Sequence, residues 1–205
     1  MSLTAVTIVS GQQYRLLAKL SAHLVQRFTG LSPVVIDAGS EGKSCVQRKL
    51  SLPFEYRLPI LYFDADWFLT APWDVSAFAN LEGPAAVRNR PTPCVWVNRD
   101  IEDLGLDAER YFNTGLLIFG RGSEAACDEA LHCPPRSDWG EQTQLNWGIA
   151  RSGVPLLLLP PQYNVIPLRG APLPARDEVI GLHIGGGTTL NRIPVLRQAR
   201  ALYRF

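Results

Sequence analysis

An α/β fold on a largely parallel sheet is predicted by three features of this sequence. Residues 5–37 read as strand, helix, strand, the unit that builds parallel sheets. The apolar run Ile60-Leu61-Tyr62-Phe63 stops abruptly at Asp64-Ala65-Asp66. A strand that runs into Asp-x-Asp brings carboxylates to the sheet edge, where open α/β sheets bind ligands. Residues 154–159 form an almost pure apolar run, expected as a strand buried on both faces.

The totals agree with one globular domain over 1–205. Apolar residues make up 46% of the 205, enough for a core, and the formal net charge is only +1. No strong field favours nucleic acid or an acidic membrane. Arg192, Arg197, Arg200 and Arg204 recur near the end and read as a solvated helix face. The first residues lack the basic start and long apolar stretch of a signal peptide, and no run reaches membrane-spanning length, so a cytoplasmic protein is expected. The four cysteines form no CxxC pair and are expected as free thiols. Cys127, His132 and Cys133 lie close together, but a helix with incidental thiols accounts for them better than a metal site.

Each element has its own signal. Residues 5–9 are a short apolar strand. Ser10 and Gln13 have the spacing of a capping box, and Tyr14, Leu17, Leu20, Leu24 and Phe28 follow at helical intervals until Gly30. Val34-Val35-Ile36 is a second strand, ending at Asp37. The helix after the first strand would offer its N-terminal amides to an anion. Residues 38–44 read as a polar turn with no phosphate-loop pattern, and Arg48 to Leu52 as a basic-apolar segment before Pro53. Residues 75–81 are a short helix or loop; 85–87 and 94–97 look like strands. Phe112-Asn113-Thr114-Gly115 then opens the apolar strand Leu116 to Phe119. Ser123 is expected to cap a helix through Leu131. A helix from about Glu141 to Arg151 buries Leu145 and Ile149, residues 179–184 form a last strand carrying His183, and residues 194–203 a last helix.

Two hard oxygen donors one residue apart suit a divalent cation, above all one that also holds a diphosphate. The motif by itself is equally satisfied by a strand followed by an acidic turn. His183 alone would be a hydrogen-bonded core histidine, Tyr14 a core aromatic, and Glu141-Gln142 a solvated first helical turn favoured by the dipole.

The order of landmarks is more informative than any one of them. A β-α-β start, Phe-Asp-Ala-Asp, Phe-Asn-Thr-Gly, Glu-Gln-x-x-Leu-Asn, Pro-x-Tyr-Asn and His-x-x-Gly resembles the GT-A glycosyltransferases. The match is to glycosyltransferase family 8, the glycogenin-related and lipopolysaccharide galactosyl- and glucosyltransferases, from about residue 5 to 192. The resemblance implies a mixed, mostly parallel central sheet flanked by helices, and metal-dependent, retaining transfer of a hexose from a UDP-sugar. It implies Asp64, Asp66 and His183 as ligands of Mn²⁺ or Mg²⁺, with Ala65 between the acids at the donor. Val9, Ser10, Gln13 and Tyr14 would surround the base and ribose, Tyr14 stacking on the ring. Lys49 would reach the donor, Asn113 would face its sugar, and Glu141 and Gln142 would flank the reacting carbon. Gly186 would approach the phosphates. The acceptor would be a glycan, a lipopolysaccharide or a protein, with no nucleic acid partner and with peripheral membrane contact allowed.

The chain departs from the family pattern at three places. Glu141 replaces the usual aspartate, Gly11 stands where an acidic residue is common, and Thr189 replaces the lysine that neutralises the leaving diphosphate. Arg192, three positions on, would be the substitute cation. Thr189 keeps a catalytically weak nucleotide-sugar-binding protein as the alternative. A haloacid-dehalogenase-type phosphatase also uses Asp-x-Asp, but that motif wants Thr or Val where Phe68 stands. A nucleotidyltransferase would want a basic loop after the first strand, and Ser10 to Gln13 contain no basic residue.

Overall fold

A computed structural model describes residues 3–39, 42–89, 95–134, 140–167, 172–185 and 189–204; for 42–44, 95–96 and 189–193 only the backbone course is described. The elements run β1 (Thr4–Val9), α1 (Gln12–Thr29), β2 (Val34–Asp37), α2 (Gly42–Glu55), β3 (Ile60–Phe63), β4 (Trp67–Leu69), β5 (Pro84–Arg88), α3 (Val95–Leu104), β6 (Phe112–Phe119), α4 (Ser123–Leu131), α5 (Glu141–Ser152), β7 (Leu157–Leu159), β8 (Gly181–His183) and α6 (Thr189–Tyr203).

Six strands form one sheet in the order β2-β1-β3-β6-β5-β7. β1 runs parallel to β2 and β3, β7 runs parallel to β5, and β6 is antiparallel to both its neighbours. The expected mixed, mostly parallel sheet is therefore borne out. Alternate side chains of the central strands feed two cores. Leu61 and Phe63 point to one side with Leu24, Trp67 and Leu182, while Ile60 and Tyr62 point to the other with Leu50, Phe119 and Leu145. Each fully buried Leu or Phe contributes roughly 1.5–3 kcal/mol of apolar transfer. β4 and β8 form a separate antiparallel pair. No helix among the described residues is long and apolar enough to cross a membrane.

Several local expectations are corrected. Ser10 and Gln13 form no capping box: Gly11 is the N-cap of α1, and the Ser10 hydroxyl donates instead to the Gly39 carbonyl at 2.9 Å. That bond, with Gly11 N to Gly39 O at 3.0 Å, joins the loops after β1 and β2. Likewise Gly122, not Ser123, caps α4. Residues 42–55 are one helix, which takes in the end of the expected polar turn over 38–44 and the basic-apolar segment before Pro53. Pro53 sits in its last turn, where Arg48 and Ser51 both hold Glu55. Residues 95–104 are a helix where a strand over 94–97 was expected; Val97, Asp100, Ile101 and Leu104 share its inward face at helical spacing, and Cys94 lies outside the described residues. The run 154–159 is strand only at its end. β7 is an edge strand with β5 as its partner, so Leu157 and Leu158 stay 45% and 37% exposed. The last strand is also shorter than expected, and it leaves the main sheet to pair with β4.

Candidate functional site

β3 lies at the middle of the sheet and ends at Phe63, opposite Leu116 of β6. The next residue, Asp64, still donates its amide to the Gly115 carbonyl at 2.8 Å. The chain then turns, with Trp67 N bonded to Asp64 O at 3.0 Å, and enters β4. β8 lies antiparallel to β4 with His183 opposite Trp67, and Ile184 N donates to Asp66 O at 2.9 Å. This small ribbon brings a histidine from late in the chain onto the Asp-x-Asp turn. His183 Nε2 lies 3.4 Å from Asp66 Oδ1 and 3.7 Å from Asp64 Oδ2. One ligand atom from each of the three residues falls within 4.8 Å of the others. Asp66 and His183 are buried and Asp64 is half-buried.

The imidazole is positioned by the strand beneath it. A Cβ built on Gly115 would collide with His183 Cε1 and Nδ1, so only glycine lets the ring lie there. His183 Nδ1 is buried and has no hydrogen-bond partner among the described residues, while Nε2 is the nitrogen turned to the carboxylates.

Behind Asp64 lies a buried charge network. Lys49, on the inward face of α2, is only 3% exposed. Its Nζ is 3.1 Å from Asp64 Oδ1, 2.9 Å from Glu141 Oε1 and 3.4 Å from the Thr114 carbonyl, and 4.6 Å from the centroid of the Tyr62 ring. Burial works against the charge on Lys49, but Asp64 and Glu141 outweigh it, so its pKa moves upward and the ammonium keeps its proton. The Tyr62 hydroxyl donates to the same Asp64 Oδ1 at 2.6 Å. Burial raises the phenol pKa well above its ordinary value, and the Asp64 charge pushes the same way, so this group is a donor.

A chain of amides lies on the other side. Asn113 Nδ2 donates to Gln142 Oε1 at 2.9 Å, and Asn113 Oδ1 accepts from Gly115 N at 2.9 Å and Asn164 Nδ2 at 2.8 Å. Asn146, one turn after Gln142 on α5, fastens that helix to β6. Its Oδ1 accepts from Phe112 N, and its Nδ2 donates to the carbonyls of Phe112 and Gln142. Thr143 adds a 2.6 Å bond to the buried Asp100 of α3. The first turn of α5 is thus pinned to both β6 and α3.

The Asp-x-Asp turn, His183, Lys49, Tyr62, Asn113, Glu141 and Gln142 share a cleft of about 520 Å³ above the carboxyl ends of β1 and β3. Of the residues singled out in the sequence, Ser10, Tyr14, Lys49, Asp64, Ala65, Asp66, Asn113, Glu141, Gln142 and His183 all line it. Val9 is buried beneath the cleft and Gln13 is exposed; neither lines it. Gly186 and the side chain of Arg192 lie outside the described residues. The structure adds Tyr62, bonded to Asp64, and Asn164, bonded to Asn113. Tyr62 reads as strand core and is indeed core, except for its hydroxyl. Asn164 stood within Pro-x-Tyr-Asn, the signal that could have marked it.

No protein-family model matches this sequence, and no curated protein matches it. Solved structures do match its fold. The galactosyltransferase LgtC, determined in complex with donor and acceptor sugar analogues, superposes with a TM-score of 0.63 at 14% identity, over 98% of this chain and 96% of its own. A glycosyltransferase involved in glycosylation of the major capsid of PBCV-1 gives 0.65 at 12% identity, over 96% and 99%. The glycosyltransferase GlyE of Streptococcus pneumoniae gives 0.58 at 16% identity, over 91% of this chain and 55% of that one. The likeness is one of fold, and the GT-A fold expected from the motifs is borne out by it.

Proposed function

We propose that this chain is a metal-dependent glycosyltransferase that moves a hexose from a UDP-sugar to an acceptor, with retention at the anomeric carbon. The observation that carries the proposal is the convergence of Asp64, Asp66 and His183 at the mouth of the cleft, on a fold shared with glycosyltransferases. Two carboxylates and an imidazole fit Mn²⁺ or Mg²⁺, the nitrogen favouring the transition metal. A cation held there would supply Lewis-acid stabilisation of a leaving diphosphate.

The rest of the reading concerns the chain's own side chains. Tyr14 and Ser10 lie at the end of the cleft nearest β1, suited to a base and ribose. Asn113 and Gln142, locked to each other, present amide groups rather than a strong nucleophile. LgtC has an active-site glutamine, the position changed to glutamate in a variant of it, and Gln142 is the corresponding candidate here. Glu141 is paired with Lys49, which lowers its value as a nucleophile and suits it to orientation. These features support a front-face route with retention, in which amide dipoles and positioning act on the oxocarbenium-like sugar. LgtC binds donor and acceptor sugar analogues and the PBCV-1 glycosyltransferase serves capsid glycosylation, which supports a glycan or protein acceptor; a lipopolysaccharide belongs to the first of these classes. A cytoplasmic donor pool and peripheral membrane contact belong to the same reading.

The test is calorimetry with UDP and MnCl₂, followed by UDP release from UDP-glucose, UDP-galactose and their N-acetyl forms. Metal-dependent UDP binding with turnover of one sugar nucleotide is the expected result. Metal-dependent binding with no turnover of any of them would favour the second reading, a catalytically weak nucleotide-sugar binder, to which Thr189 in place of lysine points. No binding of UDP with or without Mn²⁺ removes both.

A further inference from the structure

The two oxygens of Asp64 have different surroundings. Oδ1 accepts the Tyr62 hydroxyl at 2.6 Å and the Lys49 ammonium at 3.1 Å. Oδ2 is the oxygen turned to His183 Nε2, at 3.7 Å. Both donors come from rigid places. Tyr62 stands on β3, is 1% exposed and packs in the core with Leu50, Phe112 and Leu145. Lys49 lies over its ring. A half-buried carboxylate would otherwise rotate about its last bond and present either oxygen, or both.

We propose that Tyr62 is a positioning residue of the cation site: its hydroxyl holds Asp64 Oδ1, so that Asp64 offers a bound cation Oδ2 alone. The inference rests on the reading of Asp64, Asp66 and His183 as a metal site. A hydrogen bond to a ligating carboxylate fixes its orientation, and losing such a partner costs metal affinity about 10–100-fold. The arrangement also bears on which ion is taken. Ca²⁺ favours six to eight oxygens and often a carboxylate bound through both of its own; Mg²⁺ and Mn²⁺ accept fewer, singly bound ones. Holding Oδ1 away therefore disfavours Ca²⁺ more than Mn²⁺.

The experiment titrates MnCl₂, and separately CaCl₂, into parent and Tyr62→Phe protein at saturating UDP. Free Mn²⁺ is read by electron paramagnetic resonance, and Ca²⁺ by its displacement of Mn²⁺. Tyr62→Phe keeps the ring, its packing and the Lys49 contact, so its melting curve should stay close to the parent's. Tyr203→Phe, which removes a hydroxyl bonded to Pro174 O outside the cleft, is the control. The expected result is a Kd for Mn²⁺ raised about tenfold in Tyr62→Phe, a Mn²⁺-to-Ca²⁺ preference reduced, and both unchanged in Tyr203→Phe. A Kd within twofold of the parent, an unchanged preference, or an equal loss in Tyr203→Phe would overturn the inference while leaving the metal site standing. A parent that takes up no Mn²⁺ with UDP would remove the metal site itself.

Discussion

The imidazole of His183 lies directly on the backbone of Gly115, in space that a single methyl group at position 115 would occupy. One hydrogen in place of a side chain on β6 thus sets the position of a group on β8. Gly115→Ala is therefore expected to displace the ring rather than unfold the sheet, since overpacking costs about 1–3 kcal/mol. Mn²⁺-dependent UDP binding should weaken at least about tenfold while the melting temperature falls by only a few degrees. Calorimetry and thermal melts on the one variant check both halves.

Asp64 is a partner of buried Lys49 as well as a candidate ligand, so its two obvious substitutions should differ. Asp64→Asn keeps an acceptor for Tyr62 and Lys49 but loses the charge that a cation needs. Asp64→Ala leaves Lys49 with Glu141 as its remaining carboxylate partner. Both should abolish metal-dependent UDP binding. Both should lose stability with the lost charge, Asp64→Ala the more because it also loses the acceptor, and by less than the ~3–5 kcal/mol seen when a buried charge loses its sole partner. Equal melting temperatures for the pair would argue against the Lys49 network.

Lys49→Met removes the ammonium shared by Asp64 and Glu141, both of whose side chains are 27% exposed. Water relieves part of the exposed charge, so a loss near the low end of that range, about 3 kcal/mol, is expected. Chemical denaturation should show it as a lower midpoint with an unchanged slope.

Asn164 acts on Asn113, and Asn113 on Gln142, through single hydrogen bonds. Asn164→Ala frees one side of Asn113 without touching the Asp-x-Asp turn. Turnover should drop about tenfold, the equivalent of one buried hydrogen bond, with the Kd for UDP and Mn²⁺ nearly unchanged. A matching loss in UDP affinity would place Asn164 in general cleft stability instead.

The parts of the fold readable in the sequence were those with a local cause. The spacing of Leu17, Leu24 and Phe28 marked α1, and Gly30 with its left-handed backbone marked its end. Where local signals compete, packing against distant segments decides. Gly42 and Pro53 looked like breakers, yet both lie inside α2. Val95 and Val97 looked like strand, yet the helical face continues through Asp100 and Leu104. Ser10 had capping chemistry, but Gly39 from the next loop took its hydroxyl.

The site divides in the same way. The order of residues alone determined that an apolar strand ends in two acids, that an Asn-Thr-Gly opens another, and that a histidine stands near a late strand. Only the tertiary structure decided that the acids and the histidine meet, because pairing of β4 with β8 is a contact between distant segments that no local propensity specifies. It likewise decided that Lys49 faces Asp64 and Glu141, and that Tyr62 has one polar atom in an otherwise apolar setting. Side-chain type follows from the sequence; which two side chains share a few ångströms follows from how the sheet, its flanking helices and one short ribbon pack together.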